Sequence, residues 1–210
     1  RIGLDIRPPS VNHSKVEFQV EDDALRFGLA AIKGVGASAV AAIVAAREAG
    51  EPFLNIFDLT ERGNPKALSK SVLETRVKSG ALDELGPHRN QHLGVVERAV
   101  QASVTRHRDR ARGQKNLFGD TSDDDFDTEP VELPETPELP QSTQLAMEKE
   151  VLGFYLSSHP LADHSACIAR HATHNVIATG SLEEGTEVLL GGMITMIRTS
   201  QTRRPSRNGH

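Results

Sequence analysis

The chemistry most legible in this chain lies in residues 27–47, Phe-Gly-Leu-Ala-Ala-Ile-Lys-Gly-Val-Gly-Ala-Ser-Ala-Val-Ala-Ala-Ile-Val-Ala-Ala-Arg. Two glycines flank one apolar residue in Lys33-Gly34-Val35-Gly36. An apolar stripe at helical spacing follows at Ala37, Val40, Ala41, Ile43 and Val44. Glycine allows a tight turn because no Cβ stands in the way. The pattern therefore predicts a short apolar helix, a turn and a second helix: a helix-hairpin-helix. The amides of the two glycines and the first free N–H groups of the second helix would point outward together. The positive end of the helix dipole favours an anion there, and a phosphate fits. Val35 would point inward and pin the turn, while Lys33 and Ser38 would add donors to the same phosphate. Contacts of this kind fix position on a nucleic acid without reading its bases. The competing reading is a plain structural turn, since short glycine-containing helix connections are common.

The flanking elements must position that turn. Arg7-Pro8-Pro9-Ser10-Val11-Asn12 reads as a loop, because prolines push their neighbours out of helix. Val16, Phe18 and Val20 alternate with Glu17 and Gln19, as in a short half-buried strand. Phe53, Ile56, Phe57 and Leu59 form a segment suited to pack on the hairpin. Residues 65–79 predict a helix, with Pro65 in its first turn and Leu68, Val72, Leu73 and Val77 on one face. A break at 79–86 precedes a helix from about 88 to 112, striped by Leu93, Val96, Val100 and Val104. This helix–loop–helix reads equally as a second, degenerate hairpin, with Lys78, Gly80, Gly86 and Arg89 near a nucleic-acid backbone, or as a simple connection. Arg106, Arg108, Arg110 and Arg112 suit a helix C-terminus electrostatically.

Charge is segregated along the 210 residues. Residues 1–118 hold 18 Lys and Arg against 14 Asp and Glu, residues 119–140 hold nine acids and no base, and residues 141–210 hold 6 of each. The net charge of -5 therefore hides a mildly basic hairpin region and one acidic block. The block also carries Pro130, Pro134, Pro137 and Pro140, a composition that cannot bury a core and predicts a disordered linker. Just before it, Gln114 precedes the adjacent bulky residues Leu117 and Phe118. They read as an anchor for a partner, or as the last turn of the preceding helix folded back. Residues 141–170 recover helical spacing, and residues 188–198 form a β-run with a glycine pair, read as one strand of an interrupted sheet. His159, His164, His171 and His174 match no metal-ligand spacing. The single Cys167 excludes an internal disulfide framework and fits a reducing cytosol, and no apolar run is long enough to cross a membrane.

Several motifs now stand in one order: Pro9-Ser10-Val11-Asn12-His13-Ser14; Arg26 to Gly36; Lys78-Ser79-Gly80-Ala81-Leu82-Asp83; Glu148-Lys149-Glu150-Val151-Leu152-Gly153-Phe154-Tyr155-Leu156-Ser157-Ser158-His159-Pro160-Leu161; and Leu190-Gly191-Gly192-Met193-Ile194. In this order the chain resembles the bacterial replicative (C-family) DNA polymerases, the DNA polymerase III alpha-subunit family, over essentially its whole length. The resemblance implies a mainly α fold in five segments: the end of the fingers region (1–26), a helix-hairpin-helix DNA-binding domain (27–112), a clamp-binding motif with acidic linker (113–140), a helical connector (141–175) and the truncated start of an oligonucleotide-binding (OB-fold) β-barrel (176–210). It implies double-stranded DNA as a partner at Lys33, Gly34, Val35, Gly36 and Ser38, and more weakly at Lys78, Gly80 and Arg89. It implies a sliding clamp at Gln114, Leu117 and Phe118, other replicase subunits as further partners, and a cytoplasmic location. The catalytic carboxylates and their Mg²⁺ ions would lie in a palm outside this stretch, so no catalytic residue, metal ligand or cofactor is assigned here. The alternatives are an error-prone paralogue of the same family, a generic adaptor, or a helix-hairpin-helix repair module. A glycosylase, with Asp58 as its acid, lacks the helices needed before the hairpin to build a base pocket.

Overall fold

The computed structural model describes residues 5–112, 133–194 and 196–200. Gln114, Leu117, Phe118 and most of the acidic block lie outside the described residues. The described chain is mainly helical, as the sequence predicts, and it divides into two compact units, Arg1–His159 and Pro160–His210. These borders do not coincide with segment limits at 26, 112, 140 and 175.

The first unit opens on a three-stranded sheet: β1 (Asp5–Arg7), β2 (Gln19–Glu21) and β3 (Ala24–Arg26), in the order β1-β3-β2. β1 pairs with β3 in parallel and β2 with β3 antiparallel. Glu21 clips the sheet, accepting from Arg26 Nε at 2.7 Å and Arg7 Nη1 at 3.1 Å. The strand expected over Val16–Val20 is shorter and more exposed than its alternation suggests, with Val20 at 79% exposure. The reason is that residues 15 and 16 bond elsewhere: the carbonyls of Lys15 and Val16 accept from Leu29 and Ala30 at 3.0 and 2.9 Å.

The apolar helix expected before Lys33 is one 3-10 turn, Leu29–Ala31, because the backbone is extended again at Ile32, φ -74 and ψ 125, and the Lys33 amide donates to Val151 O. α1 (Ala37–Glu48) follows and buries Ala39, Val40 and Ile43. α2 (Ile56–Arg62) is capped by Asn55, whose side chain accepts from the amides of Phe57 and Asp58. α3 (Lys70–Lys78) starts later than Pro65. Asn64 closes a turn first, its carbonyl accepting from Ala67 and Leu68, and Ser69 then caps the helix. α4 (Arg89–Ala111) has 23 residues, about 34 Å of helix. Its buried seam is His92, Val95, Val96, Ala99 and Ser103, rotated from the predicted stripe, so that Val104 is 49% exposed. The rotation comes from α2: Ser103 Oγ donates to Thr60 O at 2.6 Å and Thr60 Oγ1 to Ala99 O at 3.3 Å, which places small polar residues at the crossing.

α5 (Gln141–Leu152) packs on α3 and belongs to this same unit, burying Leu145, Glu148, Val151 and Leu152. Val151 and Leu152 join one core with Phe27, Leu29, Ile32, Val40, Leu73 and Val77. The second unit holds α6 (Ser165–His171) and α7 (Val176–Thr179). The β-run expected over 188–198 is not a paired strand among the described residues, and Ile194 and Ile197 stand 78% and 80% exposed. A lone strand has no neighbour to satisfy its backbone, so the apolar run alone does not make a sheet.

Candidate nucleic-acid interface

The Lys33–Gly36 turn is built from both sides. Gly34 adopts φ +74, in the left-handed region that favours glycine, and a Cβ there would meet nothing within 4 Å. The conformation, not crowding, sets the residue. Gly36 is extended at φ -71 and ψ 151 and serves as the N-cap of α1 without a side chain of its own. Its carbonyl accepts from the amides of Ala39 and Val40 at 3.0 and 3.3 Å. Among the described residues the amides of Gly34, Val35, Gly36, Ala37 and Ser38 have no backbone acceptor outside α1. Gly34, Gly36 and Ser38 are exposed, and Val35 is half-buried against the core. This is a run of unpaired donors on largely exposed residues at a helix N-terminus, the arrangement that receives an anion.

The amide of Lys33 is not part of that run. It donates to Val151 O at 2.9 Å, closing the C-terminal end of α5. The Lys33 side chain stays exposed, with Nζ 3.8 Å from the point where a Cβ on Gly153 would sit.

The second turn spends its donors on the protein itself. Gly80 has φ +82 and ends α3 with the amides of Gly80 and Ala81 bonded to Val77 O and Arg76 O, both at 3.0 Å. A Cβ on Gly80 would lie 2.5 Å from Arg89 Nη2. Arg89 is 8% exposed; it holds Asp83 through Nε and Nη2 at 2.9 and 2.7 Å and Glu148 through Nη1 at 3.0 Å. Burial alone would lower its pKa, but Asp83 and Glu148 outweigh burial and raise it. Lys78 Nζ holds both oxygens of Glu150, at 2.8 and 3.0 Å. Lys78, Gly80 and Arg89 therefore join α3, the following turn and α5, where the sequence suggested a nucleic-acid contact; neither Gly80 nor Arg89 faces outward. The basic run on α4 is likewise partly taken, with Arg106 and Arg110 both on Glu61.

Three buried polar residues matter here to which the sequence assigns no role. Glu148, 1% exposed, accepts from Arg89, from the amides of Leu156 and Ser157 at 3.2 and 3.0 Å, and from Ser157 Oγ at 3.0 Å. Its spacing from Leu145 and Val151 already puts it on the buried face. Arg76 is fully buried, its Nε, Nη1 and Nη2 have no partner among the described residues, and burial lowers its pKa to about 10. His92 is 1% exposed; burial pushes its pKa down, against a partial opposing pull from Asp83 and the Leu82 carbonyl. A charged residue at a core position gives no signal in sequence beyond its place in the period.

Asp58 sits on α2 bonded to Leu54 N and Arg62, a local clasp rather than an exposed acid in a pocket. Among the described residues no three His, Cys, Asp or Glu side chains are grouped to hold a metal ion. No described helix is long and apolar enough to cross a membrane.

Residues 3–92 match the family described as a helix-hairpin-helix motif. The whole chain is similar to DNA polymerase III subunit alpha of Vibrio cholerae (32% identical, 99% of this chain), of Escherichia coli strain K12 (34%, 100%) and of Saccharopolyspora erythraea (33%, 100%). It spans 18% of the length of each of these relatives.

Proposed function

The chain belongs to the DNA polymerase III alpha-subunit family, and from that premise we propose that its first unit grips the backbone of double-stranded DNA at the Lys33–Gly36 turn. The observation that carries this reading is the run of amides from Gly34 to Ser38, without a backbone acceptor among the described residues, at the start of α1. A phosphate seated there would take the amides as donors, with Ser38 Oγ and Lys33 Nζ at its rim. Such binding is blind to sequence and weakens as salt rises, because phosphate neutralisation releases counterions. The test is duplex binding by the whole chain against Gly34→Glu, which adds bulk, negative charge and left-handed strain at the cradle. The reading expects binding lost in the variant at unchanged helical content. Equal binding would refute it.

The parent reaction in this reading is template-directed DNA synthesis in the cytoplasm, with the metal-dependent nucleotidyl transfer carried by other parts of the polymerase. No acid of the present chain takes part in it. Gln114, Leu117 and Phe118 would tether the chain to a sliding clamp, two adjacent bulky side chains filling a pocket on the partner and Gln114 fixing register. Binding to a bacterial sliding clamp should vanish in a Leu117→Ala/Phe118→Ala variant; retention would refute the tether.

A further inference from the structure

The motif Glu148-Lys149-Glu150-Val151-Leu152-Gly153-Phe154-Tyr155 lies far from the hairpin in sequence but against it in space. Val151 O takes the Lys33 amide at 2.9 Å. Phe154 stacks near Phe27, ring centroids 5.8 Å apart. Gly153 turns the chain at φ +91, and its open face leaves room for the Lys33 ammonium. The last turn of α5 and the hairpin turn are thus fixed to each other through backbone and core.

The charges on that turn are divided. Glu148 is buried and consumed by Arg89 and Ser157, and Glu150 is neutralised by Lys78. Lys149 is exposed and, like Lys33, has no carboxylate within ion-pair distance among the described residues. Its ammonium lies 4.8 Å over the Tyr155 ring and 3.2 Å from the Tyr155 hydroxyl, so the ring holds a long, floppy cation in one place. Two ammonium groups with no carboxylate partner among the described residues therefore stand on the two joined turns, Lys33 beside Gly153 and Lys149 on Tyr155, while their acidic neighbours are already paired.

We propose that Lys149, held on Tyr155, is a second phosphate-binding element on the duplex surface begun by the Lys33–Gly36 turn. This rests on the duplex-binding reading of that turn and extends it to a neighbouring backbone phosphate. The helix end itself repels an anion. The Lys33 amide on Val151 O and the Gly153 amide on Lys149 O at 3.0 Å reduce that repulsion by occupying the terminal carbonyls.

The test is the salt dependence of duplex binding by the whole chain, using a random-sequence duplex, for the parent, Lys149→Gln, Lys149→Arg and Gly34→Glu. Lys149→Gln should bind more weakly and lower the slope of log affinity against log salt by about 0.9, the share of one phosphate contact. Between about 50 and 200 mM salt the parent then loses about 3.5-fold more affinity than the variant. Lys149→Arg should keep the parent slope, and all variants should keep the parent's circular dichroism. If the parent binds and Gly34→Glu does not, but Lys149→Gln matches the parent in affinity and slope, the Lys149 site is refuted and the hairpin reading stands. If Gly34→Glu binds as the parent does, or the parent does not bind duplex, both are overturned.

Discussion

Arg76→Leu should make the protein more stable. The Arg76 side chain has no solvent exposure, and none of its three guanidinium nitrogens has an acceptor among the described residues. Its backbone carbonyl is used, accepting from Ala81 N and Ser79 Oγ at the end of α3. An unpaired cation taken out of water costs several kcal/mol after relaxation. The fall of its pKa to about 10, caused by burial, reports the same penalty on the charged form, on the order of 3 kcal/mol. Leucine has similar bulk and leaves little cavity, so the exchange should gain about 2–3 kcal/mol. For a unit of this size that raises Tm by about 4–12 °C. The sign with pH follows from the depressed folded value. Above about 10 the folded arginine releases its proton before the unfolded one does, so the parent regains stability as pH rises through the folded value. Below about 10 the penalty is complete, and the advantage of the variant should be flat from about pH 6 to 9. Thermal unfolding followed by circular dichroism at pH 7 measures the gain, with Arg76→Lys as the control that keeps a charge. A lower Tm in Arg76→Leu would show that the guanidinium has a partner and that the argument is wrong.

Glycine substitutions at the two turns should separate conformation from crowding. Gly34→Ala meets only the left-handed backbone and should cost about 1–2 kcal/mol, whereas Gly80→Ala adds a Cβ 2.5 Å from Arg89 Nη2 and should cost clearly more; equal urea midpoints would refute the distinction. Glu148→Ala strips Arg89, Leu156 and Ser157 of an acceptor at once and should destabilise by about 3–5 kcal/mol, with a fall of less than about 1 kcal/mol in chemical unfolding counting against it. His92 has a folded pKa below its usual value, so its contribution is complete above about pH 6.5 and is lost as pH falls, because the unfolded state takes the proton first. The urea midpoint of the parent should therefore drop more between about pH 7 and 5 than that of His92→Leu, and parallel curves would rule this out.

The sequence by itself determined the helical character, the place of the first hairpin and the segregation of charge. These follow from local rules: a glycine pair around one apolar residue, apolar spacing near 3.6, and a block of acids with prolines that has nothing to bury. Tertiary structure decided which donors are left over. Lys33, Lys78 and Arg89 look alike in sequence, as cations beside glycine turns. Yet Arg89 is closed in by Asp83 and Glu148 and Lys78 is held by Glu150, while the Lys33 ammonium remains open. Asp83 is local to Arg89, but the other two carboxylates, Glu148 and Glu150, lie 59 and 72 residues away in the chain from Arg89 and Lys78. The end of the helical turn before the hairpin is also tied at a distance, the Lys33 amide donating to Val151 O. Local spacing settles which groups a segment offers; only the return of α5 onto α3 settles which of them are already bonded.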